Sequence, residues 1–202
     1  MDLISTFIFL FAVIDPVGSI PVFIAVTQGF DKKQKKAIAI RATVVATIVL
    51  LFFIVAGEPL LDAIQVPLPS FQIAGGIVLF MFAMSMIFGE SKPESEINTI
   101  KEVNEKAIFP LAIPSIASPG AMLAVVLLTK NEDHPISEQA ITSLVMLSVL
   151  IIVVVFLLMA SRIQKLIGES GASLISRIMG LILSSIAVSN VVEGIKASFD
   201  IL

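Results

Sequence analysis

Six stretches of the chain almost exclude Asp, Glu, Lys and Arg. Residues 3–28 hold one charge, Asp15, and residues 38–57 hold Arg41 near their start. Residues 69–89, 107–129 and 139–160 hold none, and 174–196 carry Arg177 near the start and Glu193 and Lys196 near the end. About 20 apolar residues suffice for a helix to cross the hydrocarbon core, so the pattern predicts an all-α, polytopic membrane protein with six transmembrane helices. The plainest span is 139–160, whose centre from Leu150 to Leu158 is apolar without interruption. Met1-Asp2-Leu3 lacks the basic segment of a secretory signal, so the first stretch reads as a retained span.

The basic residues orient these spans. Lys32, Lys33, Lys35, Lys36 and Arg41 follow span 1; Lys92, Lys101 and Lys106 follow span 3; Arg162, Lys165 and Arg177 follow span 5. Only Lys130 and Lys196 fall on the other side. Positive loops stay in the cytoplasm, which predicts that both termini are outside. With neither Trp nor Tyr in the chain, the usual aromatic belt is missing and interfacial anchoring falls to Lys and Arg.

The chain also repeats itself weakly. Gly76, Leu79, Ala83 and Ser85 in span 3 recur as Gly180, Leu183, Ala187 and Ser189, and Asp15-Pro16-Val17-Gly18 in span 1 finds an echo in Ser118-Pro119-Gly120 in span 4. A repeat of three spans has odd parity, so its second copy enters the membrane from the opposite side. The expected plan is a 3+3 inverted repeat: residues 1–89, a hydrophilic cytoplasmic linker 90–106, and residues 107–202.

Asp15-Pro16 and Ser118-Pro119 stand at the centres of spans 1 and 4. Proline breaks or kinks a helix and pushes the preceding residue out of the α region. Asp and Ser are favoured N-caps, and Pro is favoured at the first helical position. Each pair therefore reads as the cap and first residue of a new half-helix. Gly18 and Gly120 allow close backbone approach. Pro110 and Pro114 disturb the first half of span 4, and Pro21 the second half of span 1. Irregular backbone at membrane depth is tolerated only inside protein or beside a wet cavity, and paired breaks in inverted halves point to a transport site.

Asp15 is the one acidic residue at the centre of a span, where a carboxylate costs about 3 kcal/mol on insertion scales. Two readings stand: Asp15 binds a coupling ion or a substrate ammonium, or it only caps its half-helix. The backbone of Ser118–Ala121 suits a substrate carboxylate. Pro16, Gly18, Ser19, Pro119, Gly120, Ala121 and Asn190 complete the candidate substrate- or ion-binding set. Ser184, Ser185, Ser189 and Ser85 serve the path or helix packing. Ser176, Gly180 and Ser184, spaced by four, form a stripe for helix contact. Glu193 is read as interfacial, Arg41 and Arg177 as snorkelling, and His134 as a loop residue.

Composition agrees. Of 202 residues, 57% are hydrophobic and 14% charged, against about 45–50% and 25% in soluble domains. Mean hydropathy is +1.04. A net charge of −3 gives no footprint for nucleic acid, and the absence of Cys removes disulfides and thiolate metal sites. No metal or other cofactor is expected.

Asp15-Pro-Val-Gly-Ser-Ile-Pro-Val-Phe23 resembles the first-span motif of the MarC (UPF0056) inner-membrane family, which is related to the SnatA-type neutral amino acid transporters. Phe109-Pro-Leu-Ala-Ile-Pro114 with Pro119-Gly-Ala121 resembles its fourth-span motif; Ala56-Gly-Glu58, Gly75-Gly-Ile-Val-Leu-Phe80 and Met179-Gly-Leu-Ile-Leu183 fit as well. The likeness covers essentially the whole chain. It implies six spans in a prokaryotic cytoplasmic membrane and, for some members, transport of small neutral amino acids. Ser118 departs from the Gly expected before Pro-Gly.

The leading functional expectation is a secondary transporter of small zwitterions coupled to H+ or Na+, in the lipid bilayer, with a homo-oligomer open. A non-transporting assembly or sensor protein and a passive channel are the alternatives. A membrane enzyme is disfavoured: there is one His, no zinc or nucleophile motif, and one central Asp.

Overall fold

A computed structural model of the chain describes residues 2–88, 107–130 and 135–199. The linker 90–106 and His134 lie outside these. The described residues form helices and short connections: α1 (Leu3–Ile14), α2 (Ser19–Val26), α3 (Lys32–Ala63), α4 (Leu68–Phe88), α5 (Ala107–Ile116), α6 (Pro119–Leu128) and α7 (Ile136–Ser198). Helical geometry in α7 is interrupted at Gly168 (φ 71°, ψ 171°), and its two arms carry the apolar segments Ile136–Ile163 and Arg177–Ser198. Among the described residues, five helical segments are long and apolar enough to cross a membrane. They become six if α5 and α6, bent by 53°, count as one.

Local chemistry sets the helix ends. Asp2 caps α1 by accepting the Ser5 N–H at 2.7 Å, and these hydrogen bonds to Ser5 hold its carboxyl below the ordinary value of 3.8. α3 starts with a capping box: Asp31 accepts from Gln34 N–H at 2.8 Å and Gln34 Oε1 accepts from Asp31 N–H at 3.0 Å. That cap carries α3 beyond the apolar stretch 38–57 to a full 32 residues. Its other end is a Schellman turn, with Gln65 left-handed (φ 55°) and Val66 N–H reaching Leu61 O at 2.9 Å; Pro67 follows and prevents continuation. Pro21 does not disturb α2, because it lies in the first turn, where no backbone donor is needed.

The first span is the most buried of the five apolar segments. Around it, α3 turns Ala39, Ala42, Ala46 and Leu50 inward, all fully buried, and packs on α5, α6 and α7. α4 runs antiparallel to the last arm of α7. A Cβ at Gly180 would lie 2.9 Å from Ala83 O, one at Gly76 3.0 Å from Ala187 O, and one at Gly194 2.9 Å from Pro69 O. The packing face of this arm is Gly180, Leu183, Ala187, Asn190 and Gly194, all buried. It keeps Gly180 from the stripe expected in the sequence but follows a spacing near 3.5 residues, which leaves Ser184 half-buried.

Candidate functional site

Two irregular turns meet inside this frame. The first is residues 15–18. Asp15 N–H still bonds to Phe11 O at 3.0 Å, so Asp15 closes α1, and its own backbone is left-handed (φ 51°, ψ 70°). That conformation costs a non-glycine residue about 1–2 kcal/mol, and Asp is among the few that adopt it. Hydrogen bonds offset the cost. Asp15 Oδ1 accepts the Gly18 N–H at 2.9 Å, and Asp15 O accepts from the Ser19 N–H and the Ser19 hydroxyl, both at 3.2 Å. The carboxylate bonds three residues ahead, as a cap does, but Pro16 is not the first residue of a helix. Residues 16–18 form a turn and α2 begins at Ser19. The left-handed backbone that closes α1 uses that turn to redirect the chain. Gly18 is favoured here, since a Cβ would collide with Asp15 Oδ2.

The second turn lies between α5 and α6. α5 is irregular, its backbone extended at Phe109 and Ile113, the residues preceding Pro110 and Pro114, as the steric demand of proline requires. The Ile113–Pro114 bond is cis. Ser118 is the N-cap of α6, with extended backbone (φ −71°, ψ 157°) and Pro119 in the first helical turn. Its Oγ accepts the Ala121 N–H at 3.0 Å. Ala121 N–H is thereby occupied and Pro119 has none. Gly120 N–H makes no hydrogen bond among the described residues.

Side chains join the turns across more than 90 residues of sequence. Ser118 Oγ donates to Val13 O at 3.4 Å, and the hydroxyls of Ser19 and Ser115 lie 3.2 Å apart. Asp15, Ser19, Ser115 and Ser118 are each no more than 3% exposed. Pro16 and Gly120 are buried beside them, whereas Pro119 is exposed. α4 seals the second turn reciprocally: Gly120 faces Leu79 of α4, and Gly75 of α4 faces Leu123 of α6. Both short helices end alike. Thr27 after α2 donates to Phe23 O, and Thr129 after α6 donates to Val125 O, each at 2.6 Å and buried.

The structure thus brings Asp15, Ser19 and Ser118 together. Asn190 lies apart on the α4-facing side of α7, and no hydrogen bond links it to the turns. Ser184 and Ser185 donate to Leu181 O and Ser85 to Phe82 O, each within its own helix. Glu193 is exposed and meets Gln72 Nε2 and Ser189 Oγ, each at 3.4 Å. Sequence reasoning missed Ser115. The available signal was a hydroxyl directly after Pro114 and three residues before the Ser118 cap.

Comparison with known proteins identifies the family. The family model for MarC family integral membrane proteins matches residues 1–199. The UPF0056 membrane protein MJ1677 of Methanocaldococcus jannaschii is 34% identical over 204 residues, covering 98% of this chain and 99% of that protein. A UPF0056 membrane protein of Archaeoglobus fulgidus is 34% identical over 196 residues, 95% of this chain and 91% of its own. The UPF0056 inner membrane protein YhgN of Escherichia coli K12 is 31% identical over 195 residues, 96% of each. No solved structure matches the chain. The chain belongs to the MarC family of integral membrane proteins.

Proposed function

We propose that this chain is a secondary transporter of small neutral amino acids, coupled to H+ or Na+, with its site between the turns at Asp15 and Ser118. The observation that carries the reading is a carboxylate, 3% exposed, held in a left-handed turn at the middle of the first span and tied through side chains to a second turn in the fourth. Irregular backbone buried at membrane depth is the usual setting for a substrate or ion site. An intramembrane carboxylate is a functional group by default. In this reading Asp15 takes the coupling ion or the substrate ammonium, Ser19 and Ser118 flank it, and Gly120 N–H at the start of α6 faces the substrate carboxylate. Pro16 and Pro119 hold the turns, and Ala121 supports the Ser118 cap.

Residues 1–89 and 107–202 then form the two inverted repeats, with 90–106 as the cytoplasmic linker and both termini outside a prokaryotic inner membrane. The antiparallel pairing of α4 with the last arm of α7 and the matching Thr27 and Thr129 ends support that plan.

The test is counterflow of labelled glycine, alanine and serine in proteoliposomes, with wild type beside Asp15→Asn. Saturable uptake by wild type that fails in the variant is expected. Full activity and unchanged pH dependence in Asp15→Asn would remove the ionic role of Asp15. No counterflow of any amino acid by wild type would remove the substrate class.

A further inference from the structure

We propose that the first turns of α3 form a binding collar for the phosphate headgroups of anionic phospholipid. Lys32, Lys33, Lys35 and Lys36 fall within five residues, a rise of about 6 Å and an arc of about 160° on a helix of 3.6 residues per turn. They immediately precede the apolar stretch that starts at Ala37, so the four ammonium groups stand at one level beside the membrane surface. Lys32, Lys33 and Lys36 are exposed, and Lys35 is half-buried along its stem.

This placement runs against the needs of the helix. Basic side chains at a helix N-terminus oppose the macrodipole, yet four are gathered there. Among the described residues none of the four meets a carboxylate, and the acid adjacent in sequence, Asp31, accepts the Gln34 N–H at 2.8 Å. The capping box keeps the helix formed despite the repulsion, so the four lysines stay grouped on one arc of about 160°. A positive loop is enough to set orientation during insertion. A cluster of exposed lysines on a formed helix at headgroup depth additionally presents a complementary surface to phosphate, and each lysine there adds to the attraction of an anionic leaflet.

The test uses the full chain purified in neutral detergent, where the direction of membrane insertion has no influence on the result. Dioleoyl phosphatidylglycerol and dioleoyl phosphatidylcholine are titrated separately, and retained lipid is counted by native mass spectrometry. Wild type is expected to prefer phosphatidylglycerol by about tenfold or more, with the preference falling as NaCl rises from 0.1 to 0.5 M. Replacing all four lysines by Gln removes most of the preference; replacing all four by Arg retains it. The double variant Arg162→Gln/Lys165→Gln, on another connection, also retains it. Equal retention of both lipids by wild type, a preference that is insensitive to salt, or one that survives the fourfold Gln variant overturns the proposal. So does complete competition by millimolar inorganic phosphate, which would mark a free-anion site instead. None of these readouts depends on transport.

Discussion

The hydroxyls of Ser19 and Ser115 lie 3.2 Å apart, both buried, at the point where the two irregular turns face each other. If the turns separate during a transport cycle, this contact must open. The chain has no Cys, so a pair can be introduced without removing anything. In Ser19→Cys/Ser115→Cys, mild oxidation is expected to form a disulfide, since the two side-chain termini already stand 3.2 Å apart and the bond needs sulfurs about 2.05 Å apart. A protease site placed in 90–106 makes the bond visible as halves that stay together on a non-reducing gel. Counterflow should stop on oxidation and return with reductant. Persistence of transport in the cross-linked protein would show that the turns move as one body.

Gly18→Ala probes the carboxylate from its other side. The new methyl collides with Asp15 Oδ2 and drives the side chain out of its bond with the Gly18 N–H. Destabilisation of about 1–3 kcal/mol, typical of overpacking, is expected in thermal unfolding, together with loss of the activity that depends on Asp15. At Gly120 the same substitution meets Leu79 Cδ1 first, at the end of a flexible side chain. The smaller loss of melting temperature belongs there.

Ser118 separates capping from family habit. Ser118→Ala leaves Ala121 N–H without its acceptor, and loss of an N-cap costs about 1 kcal/mol. Ser118→Gly should cost only a few tenths of that unit and gives the residue that the family motif led us to expect. Equal melting temperatures for the Ala and Gly variants would mean that the hydroxyl contributes nothing to the cap.

Gly180→Ala tests the seam between α4 and the last arm of α7. Its methyl would lie 2.9 Å from the carbonyl oxygen of Ala83, and backbone cannot swing aside as a side chain does. We expect about 1–3 kcal/mol of destabilisation. Ser184→Ala, one residue beyond the packing face, should stay within about 0.5 kcal/mol, as a change away from such features does. Comparable losses in the two variants would place the interface on the wrong face.

The parts of this fold that were legible in the sequence are those that local chemistry decides. Apolar length marks the spans. Ser118-Pro119 is a capping signal complete within four residues, and the extended backbone at Phe109 and Ile113 follows from the prolines after them. Asp15 was legible as a cap but not in its hand: closing α1 and opening α2 at one residue forces a left-handed backbone, and that conflict exists only once both helices are present. Ser115 was missed because its partner, Ser19, lies in the other half of the chain. The packing face of the last arm was legible only at Gly180, and the side chain of Ser176 lies outside the described residues. A four-residue spacing fits a helix viewed alone, while the long antiparallel contact with α4 selects a spacing nearer 3.5.

The lengths of the short helices carry an electrical consequence. α1 has 12 residues and α6 has 10, about 18 and 15 Å at 1.5 Å per residue, each close to half of a hydrocarbon core of about 30 Å. With α1 entering at one surface, Asp15 sits near the middle of the insulating layer. A proton or cation that reaches it from either compartment crosses about half of the membrane voltage, about 1.2 kcal/mol per 100 mV. Occupancy of that carboxylate would then respond to the energised state of the cell as well as to the concentration of the ion.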